Sequence, residues 1–111
     1  MSYQLDVLKS ETHRAEKDFQ NAVKNYMLFP LDTTEEFKQA LKELFESITN
    51  YRIVLDRLRK YLAVMRESES LTTRQMTIER AIVRLNTKDA ALERLLKNVS
   101  RLAASHSQGV R

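Results

Sequence analysis

The stretch FKQALKELFESITNYRIVLDRLRKYLAVM, residues 37–65, decides the fold. Within it Phe37, Leu41, Leu44, Ile48, Tyr51, Leu55, Leu58, Leu62 and Met65 recur at alternating steps of four and three, with no Gly or Pro between them. A strand needs an apolar residue at every second position, and an ordinary globular helix rarely keeps so strict a stripe for about four heptads. The segment therefore predicts a long helix with a coiled-coil-like seam.

Upstream, Leu5, Leu8, Thr12, Ala15, Phe19, Ala22, Tyr26 and Phe29 repeat the alternation, with Thr12 as its polar member. This predicts a first helix over about 3–28. Pro30 ends it, because proline lacks the backbone donor and disfavours helical geometry in the residue before it. Leu31 to Thr34 then reads as a connector. Asp32 with Glu35 and Thr33 with Glu36 form two overlapping capping boxes, placing the second helix over about 35–67. Ser68, Glu69 and Ser70 break the pattern with turn- and cap-forming residues. A third capping box, Thr72 with Gln75, opens a helix over about 72–104. Its seam holds Leu71, Gln75, Ile78, Ile82, Leu85, Asp89, Leu92, Leu96, Val99 and Ala103. Asn86 to Asp89 is where a kink or a further cap fits. Residues 105–111 are polar and aperiodic, and they predict a flexible tail.

One Gly and one Pro in 111 residues leave few turn formers for a sheet, and the class is all-α. The length suits one domain. Short connectors between long helices imply antiparallel neighbours, so the expected architecture is an elongated up-down-up three-helix bundle. Phe45, Val54 and Tyr61 on the second helix, with Ala81, Leu95 and Leu102 on the third, widen each stripe as a helix with two neighbours requires. The first helix is shorter than the others, by about 10 Å at 1.5 Å per residue. Its start should lie near residue 60, leaving the tip of the second hairpin uncovered. Tyr61, Val64, Met65, Leu71 and Met76 are the residues expected to form a partner-binding surface there, with Tyr61 and Met65 as anchors. Closure of the tip on itself, with Leu71 folded under Tyr61 and Met65, is the alternative.

Charge is polarised along the chain. Residues 1–51 carry six basic against nine acidic side chains, net −3, and residues 52–111 carry thirteen against six, net +7. Ten of those thirteen are Arg, whose planar fork suits carboxylate and phosphate partners. On the third helix Arg80, Arg84, Arg94, Lys97 and Arg101 fall off the seam. On the second, Arg52, Arg59 and Arg66 follow one edge at seven-residue intervals. Such a basic stripe fits an acidic protein surface or a phosphate backbone, or simply a solvated flank whose Arg stems cover apolar surface. Asp89 and Gln75 occupy seam positions where an unpaired charge or amide is costly. Asp89 is expected to reach solvent or cap a kink, and a register-setting role is the alternative.

Catalytic chemistry finds little to build on. With no Cys there is no disulfide framework or thiolate metal site. His13 and His106 have no partner at metal-ligand or catalytic spacing, and the single Gly109 excludes a glycine-rich phosphate loop. Neither a catalytic residue nor a metal, cofactor or small-molecule substrate is expected. No apolar run approaches the roughly 20 residues that span a bilayer, and no signal peptide is read at the start, so a cytoplasmic setting is expected. The residues point to a non-enzymatic interaction module, of the adaptor, chaperone or inhibitor kind, binding a larger protein through the hairpin tip and the Arg-rich face. A sequence-nonspecific nucleic-acid-binding protein using the basic half is the alternative, and homodimerisation through the tip is also open.

Overall fold

The computed structural model describes the backbone of residues 2–28 and 34–109, and the side chains of residues 3–28 and 35–104. Helix α1 spans Ser2–Leu28, α2 Thr34–Ser68 and α3 Thr72–Gly109. They form the expected all-α, up-down-up antiparallel three-helix bundle, 61 × 22 × 15 Å in extent. The stop at Pro30, the two capping boxes on Asp32 and Thr33, and the seam position of Phe29 lie outside the described residues. So do Val110 and Arg111. The backbone of α3 is unbroken through residues 86–89 and stays helical to Gly109, past the expected end at Ala104.

The seam of residues 37–65 is the spine of the molecule. Its members from Phe37 to Leu62 are all buried, Ile48 and Leu55 most completely, and Met65 is half-buried. Ala40 and Val54 are buried beside them and widen the stripe, so α2 receives α1 on one side and α3 on the other. Helix α1 meets it with Ala15 and Ala22, small residues that let two backbones come close. Phe19 lies against Tyr51 with ring centroids 5.9 Å apart, and Tyr26 against Phe37 at 5.6 Å. Both pairs are tilted, as aromatic quadrupoles prefer. From α3, Leu92 and Val99 complete this core. A second, smaller cluster of Leu58, Leu62 and Ile78 sits towards the second hairpin, with Leu5 and Leu8 of α1 packed on it.

Polar seam residues are resolved by pairing. Asp89 accepts two hydrogen bonds from Arg52, at 2.9 Å from Nε and 3.2 Å from Nη2, with both side chains just over a quarter exposed. This fork-to-fork pair crosses between α2 and α3. The helix runs unbroken through Asp89, which keeps partial access to solvent and pairs with Arg52 instead of capping a kink. Asp89 also holds Arg52 protonated more firmly than an ordinary arginine, through the hydrogen bond and the nearby negative charge. Gln75 departs from the expected reciprocal box with Thr72: its Nε2 donates to the Glu69 carbonyl at 2.6 Å. The Leu71 N–H donates to Glu69 Oε1 at 3.1 Å, and Glu69 and Gln75 together seal the α2–α3 turn. Thr12 donates to the Leu8 carbonyl at 2.7 Å and needs no partner from another helix.

Among the described residues, no Cα of α1 comes within 8 Å of any Cα of α3. The two outer helices pack on α2 and leave a channel between themselves. This open side positions the candidate site.

Candidate functional site

The channel deepens into a groove of about 740 Å³ near the C-terminal ends of α1 and α3. Phe19, Val23, Tyr26 and Met27 form its α1 wall, Leu95, Val99 and Leu102 its α3 wall, and Leu41 and Leu44 of α2 its floor. The floor residues are buried, but at the lip Met27 is 75% and Leu102 41% exposed. Gln20, Lys24 and Asn98 are the polar members of the lining.

One polar bridge crosses it. Lys88 of α3 donates to Glu16 Oε2 of α1 at 3.2 Å, and the Tyr51 hydroxyl below donates to the same oxygen at 3.1 Å. The Lys88 ammonium lies 5.9 Å from the centroid of the Tyr51 ring. The hydrogen bonds from Lys88 and then Tyr51 hold the Glu16 carboxyl below its ordinary pKa. Those to Tyr51 and Glu16 raise that of Lys88, and burial raises that of the Tyr51 phenol. The bridge marks one end of the groove. A smaller hollow of about 280 Å³ beside it, lined by Phe19, Ala91 and Leu95, continues the groove up to the bridge.

The residues expected at the hairpin tip are placed differently from one another. Leu58, Leu62 and Ile78 form a closed inner layer under Leu5 and Leu8, and Tyr61 and Met65 are half-buried. Val64, Leu71 and Met76 are 66%, 54% and 49% exposed. Val64 lies on α2, Leu71 in the turn and Met76 on α3. Val64 falls seven residues beyond Arg57, which reaches Glu11 of α1 at 3.5 Å, so it follows the α1 side of α2. Met76 instead shares a shallow depression on the outer face of α3 with Glu79, Arg80, Val83 and Arg84.

The basic stripe divides as well. Arg52 is bound to Asp89, and Arg59 to Asp56 and, at 3.0 Å, to Asn86. Asp56 also takes Lys60 at 3.0 Å, and these cations hold its carboxyl below the usual range, Lys60 most. Lys97 lies 3.8 Å from Glu93. Among the described residues, Arg80, Arg84, Arg94 and Arg101 are exposed and have no ion-pair partner.

Val23, Met27, Gln20, Lys24 and Asn98 escape a reading of the seam alone. The signal available was an apolar line on α1 at four-residue steps, Phe19, Val23 and Met27, that leaves the seam at Phe19. Among the described residues, no group of three or more His, Cys, Asp or Glu side chains could hold a metal ion, and no helix is long and apolar enough to cross a membrane. Comparison with known protein families, curated proteins and solved structures finds no match to this chain.

Proposed function

We propose that this chain is a protein-interaction module, of the adaptor, chaperone or inhibitor kind, that seats an α-helix of a larger partner in the groove between α1 and α3. The observation that carries this is the groove itself: an apolar trough with a buried floor and exposed apolar lips, open along one side. An amphipathic helix laid in such a trough buries one stripe and keeps its polar face wet. It would stand opposite α2 and turn three helices into four, an arrangement with good packing precedent. The groove gathers its apolar residues around one hollow, whereas Val64, Leu71 and Met76 are spread over α2, the turn and α3. The unpaired arginines of α3 support the reading by offering long-range attraction to an acidic partner.

Selection of displayed amphipathic helical peptides on the wild-type protein, with counter-selection on a Met27→Asp, Leu102→Asp double variant, tests this. Peptides that bind the wild type and lose at least about tenfold on the variant are the expected outcome. Enrichment that ignores the double substitution refutes the groove.

A second reading draws on the same four arginines. Arg80, Arg84, Arg94 and Arg101 would contact a nucleic-acid backbone without reading sequence. It predicts steeply salt-dependent binding of a mixed-sequence oligonucleotide that survives Met27→Asp and falls with Arg80→Glu and Arg84→Glu.

A further inference from the structure

Resting on the groove reading above, we propose that the helix received between α1 and α3 carries carboxylates along its flanks.

The charge of the flanks follows from what surrounds the mouth. Lys24 lines the α1 wall. On α3, Arg94 and Arg101 stand four residues before and three after Asn98, on the outer edge of the opposite wall. Among the described residues, none of these three cations has an ion-pair partner. Nearby carboxylates are already engaged or face elsewhere. Glu16 is held by Lys88 and Tyr51, and Glu93 is beside Lys97. Asp18, Glu43 and Glu46 gather around Asn21 and Asn25 on another face of α1 and α2. Both walls therefore present positive charge, and among the described residues Lys24, Arg94 and Arg101 have no ion-pair partner. A second copy of this chain, set groove to groove, would bring six such cations together, and like charges across an interface are strongly disfavoured. A foreign helix with Glu or Asp beside its apolar stripe meets the same cations as partners.

Two synthetic peptides of about 14 residues, helix-stabilised and sharing one Leu stripe, distinguish the outcomes. One carries Glu on its flanks and the other Lys, and binding is read by fluorescence anisotropy at about 50 mM and about 300 mM salt. The Glu peptide should bind at least about tenfold tighter at low salt, with a smaller gap at high salt, and Arg94→Glu with Arg101→Glu should abolish or reverse the preference. Equal binding of the two peptides, lost on Met27→Asp with Leu102→Asp, keeps the groove and overturns the acidic flank. A Glu preference that survives the Arg substitutions also overturns it. Binding of neither peptide, or binding indifferent to Met27→Asp and Leu102→Asp, removes the groove reading itself. Circular dichroism melts of each variant confirm that the bundle is intact before affinities are compared.

Discussion

At one end of the molecule three helices frame their apolar side chains around a hollow; at the other, α2, α3 and the first turns of α1 draw theirs together over a small closed cluster. Both ends leave apolar side chains exposed, Met27 and Leu102 at the first, Val64, Leu71 and Met76 at the second. What differs is curvature. Around the groove, Gln20, Lys24 and Asn98 line the walls while the floor residues Leu41 and Leu44 are buried. At the tip, Leu5 and Leu8 pack on the cluster of Leu58, Leu62 and Ile78, and Val64, Leu71 and Met76 stay outside it. Exposed apolar area alone does not make a binding site; a helix must find several such residues on one concave surface.

The sharpest test of this contrast removes a floor residue at each end. Leu44→Ala, beneath the groove, should cost about 3 kcal/mol of unfolding free energy, and Leu62→Ala, beneath the tip, a comparable amount, both read by chemical denaturation. A loss well under about 1 kcal/mol for Leu62→Ala would mean that Leu5 and Leu8 do not cover the tip. Next in size is the functional contrast. Met27→Asp with Leu102→Asp should weaken a selected helical peptide by at least about tenfold, near 1.4 kcal/mol, while Val64→Asp with Met76→Asp leaves it unchanged. The reverse pattern would move the site to the tip. Asp89→Ala, which removes the ion pair between α2 and α3 and leaves Arg52 half-buried without a partner, should cost about 1 kcal/mol in the same denaturation assay.

The smallest expected effect concerns the bridge that bounds the groove. Glu16 has a folded pKa below its unfolded value, so its contribution is present above the ordinary Glu value of about 4.3 and is lost as pH falls through the depressed folded value. Lys88 and Tyr51 have raised folded values, so their contribution is complete below about pH 10 and is lost as pH rises further. The bridge thus acts between about pH 5 and about pH 10. Because its ends are over a third exposed, Glu16→Gln should cost less than about 1 kcal/mol at pH 7. That difference should vanish in acid melts, below the pH at which Glu16 is protonated in the folded chain.

The heptad spacing made the spine legible residue by residue, since Phe37 to Leu62 lie where the alternation of three and four puts them. Helix boundaries at 28, 68 and 72 fall within one position of those read from the sequence, although Gln75 reaches Glu69 instead of Thr72 and α3 runs to Gly109, past the expected end at Ala104. The open side between α1 and α3 was not legible. Periodicity shows which face of a helix is apolar, but not whether two faces that both look towards a third helix also close on each other. Leu95 and Leu102 were read as widening the stripe for a second neighbour, and in the fold they line a wall of the groove. The stripe at Arg52 and Arg59 looked continuous with Arg80 and Arg84 because spacing along a helix does not reveal which carboxylate lies across the interface. Asp89 and Asp56 engage the first two and leave the others free.

The central place of α2 also governs how the chain folds. Among the described residues, α1 and α3 come backbone to backbone only with α2 and meet each other through side chains, Leu5 and Leu8 on the cluster that holds Ile78 and Glu16 with Lys88. The bundle therefore behaves as a short one-dimensional array of two hairpins sharing a strut. Nearly every contact is made between consecutive helices, and topologies of this kind fold in microseconds to milliseconds. Either hairpin can nucleate on α2 without waiting for the other. Destabilising changes in α1 and α3 that avoid Leu5, Leu8, Ile78, Glu16 and Lys88 should add independently.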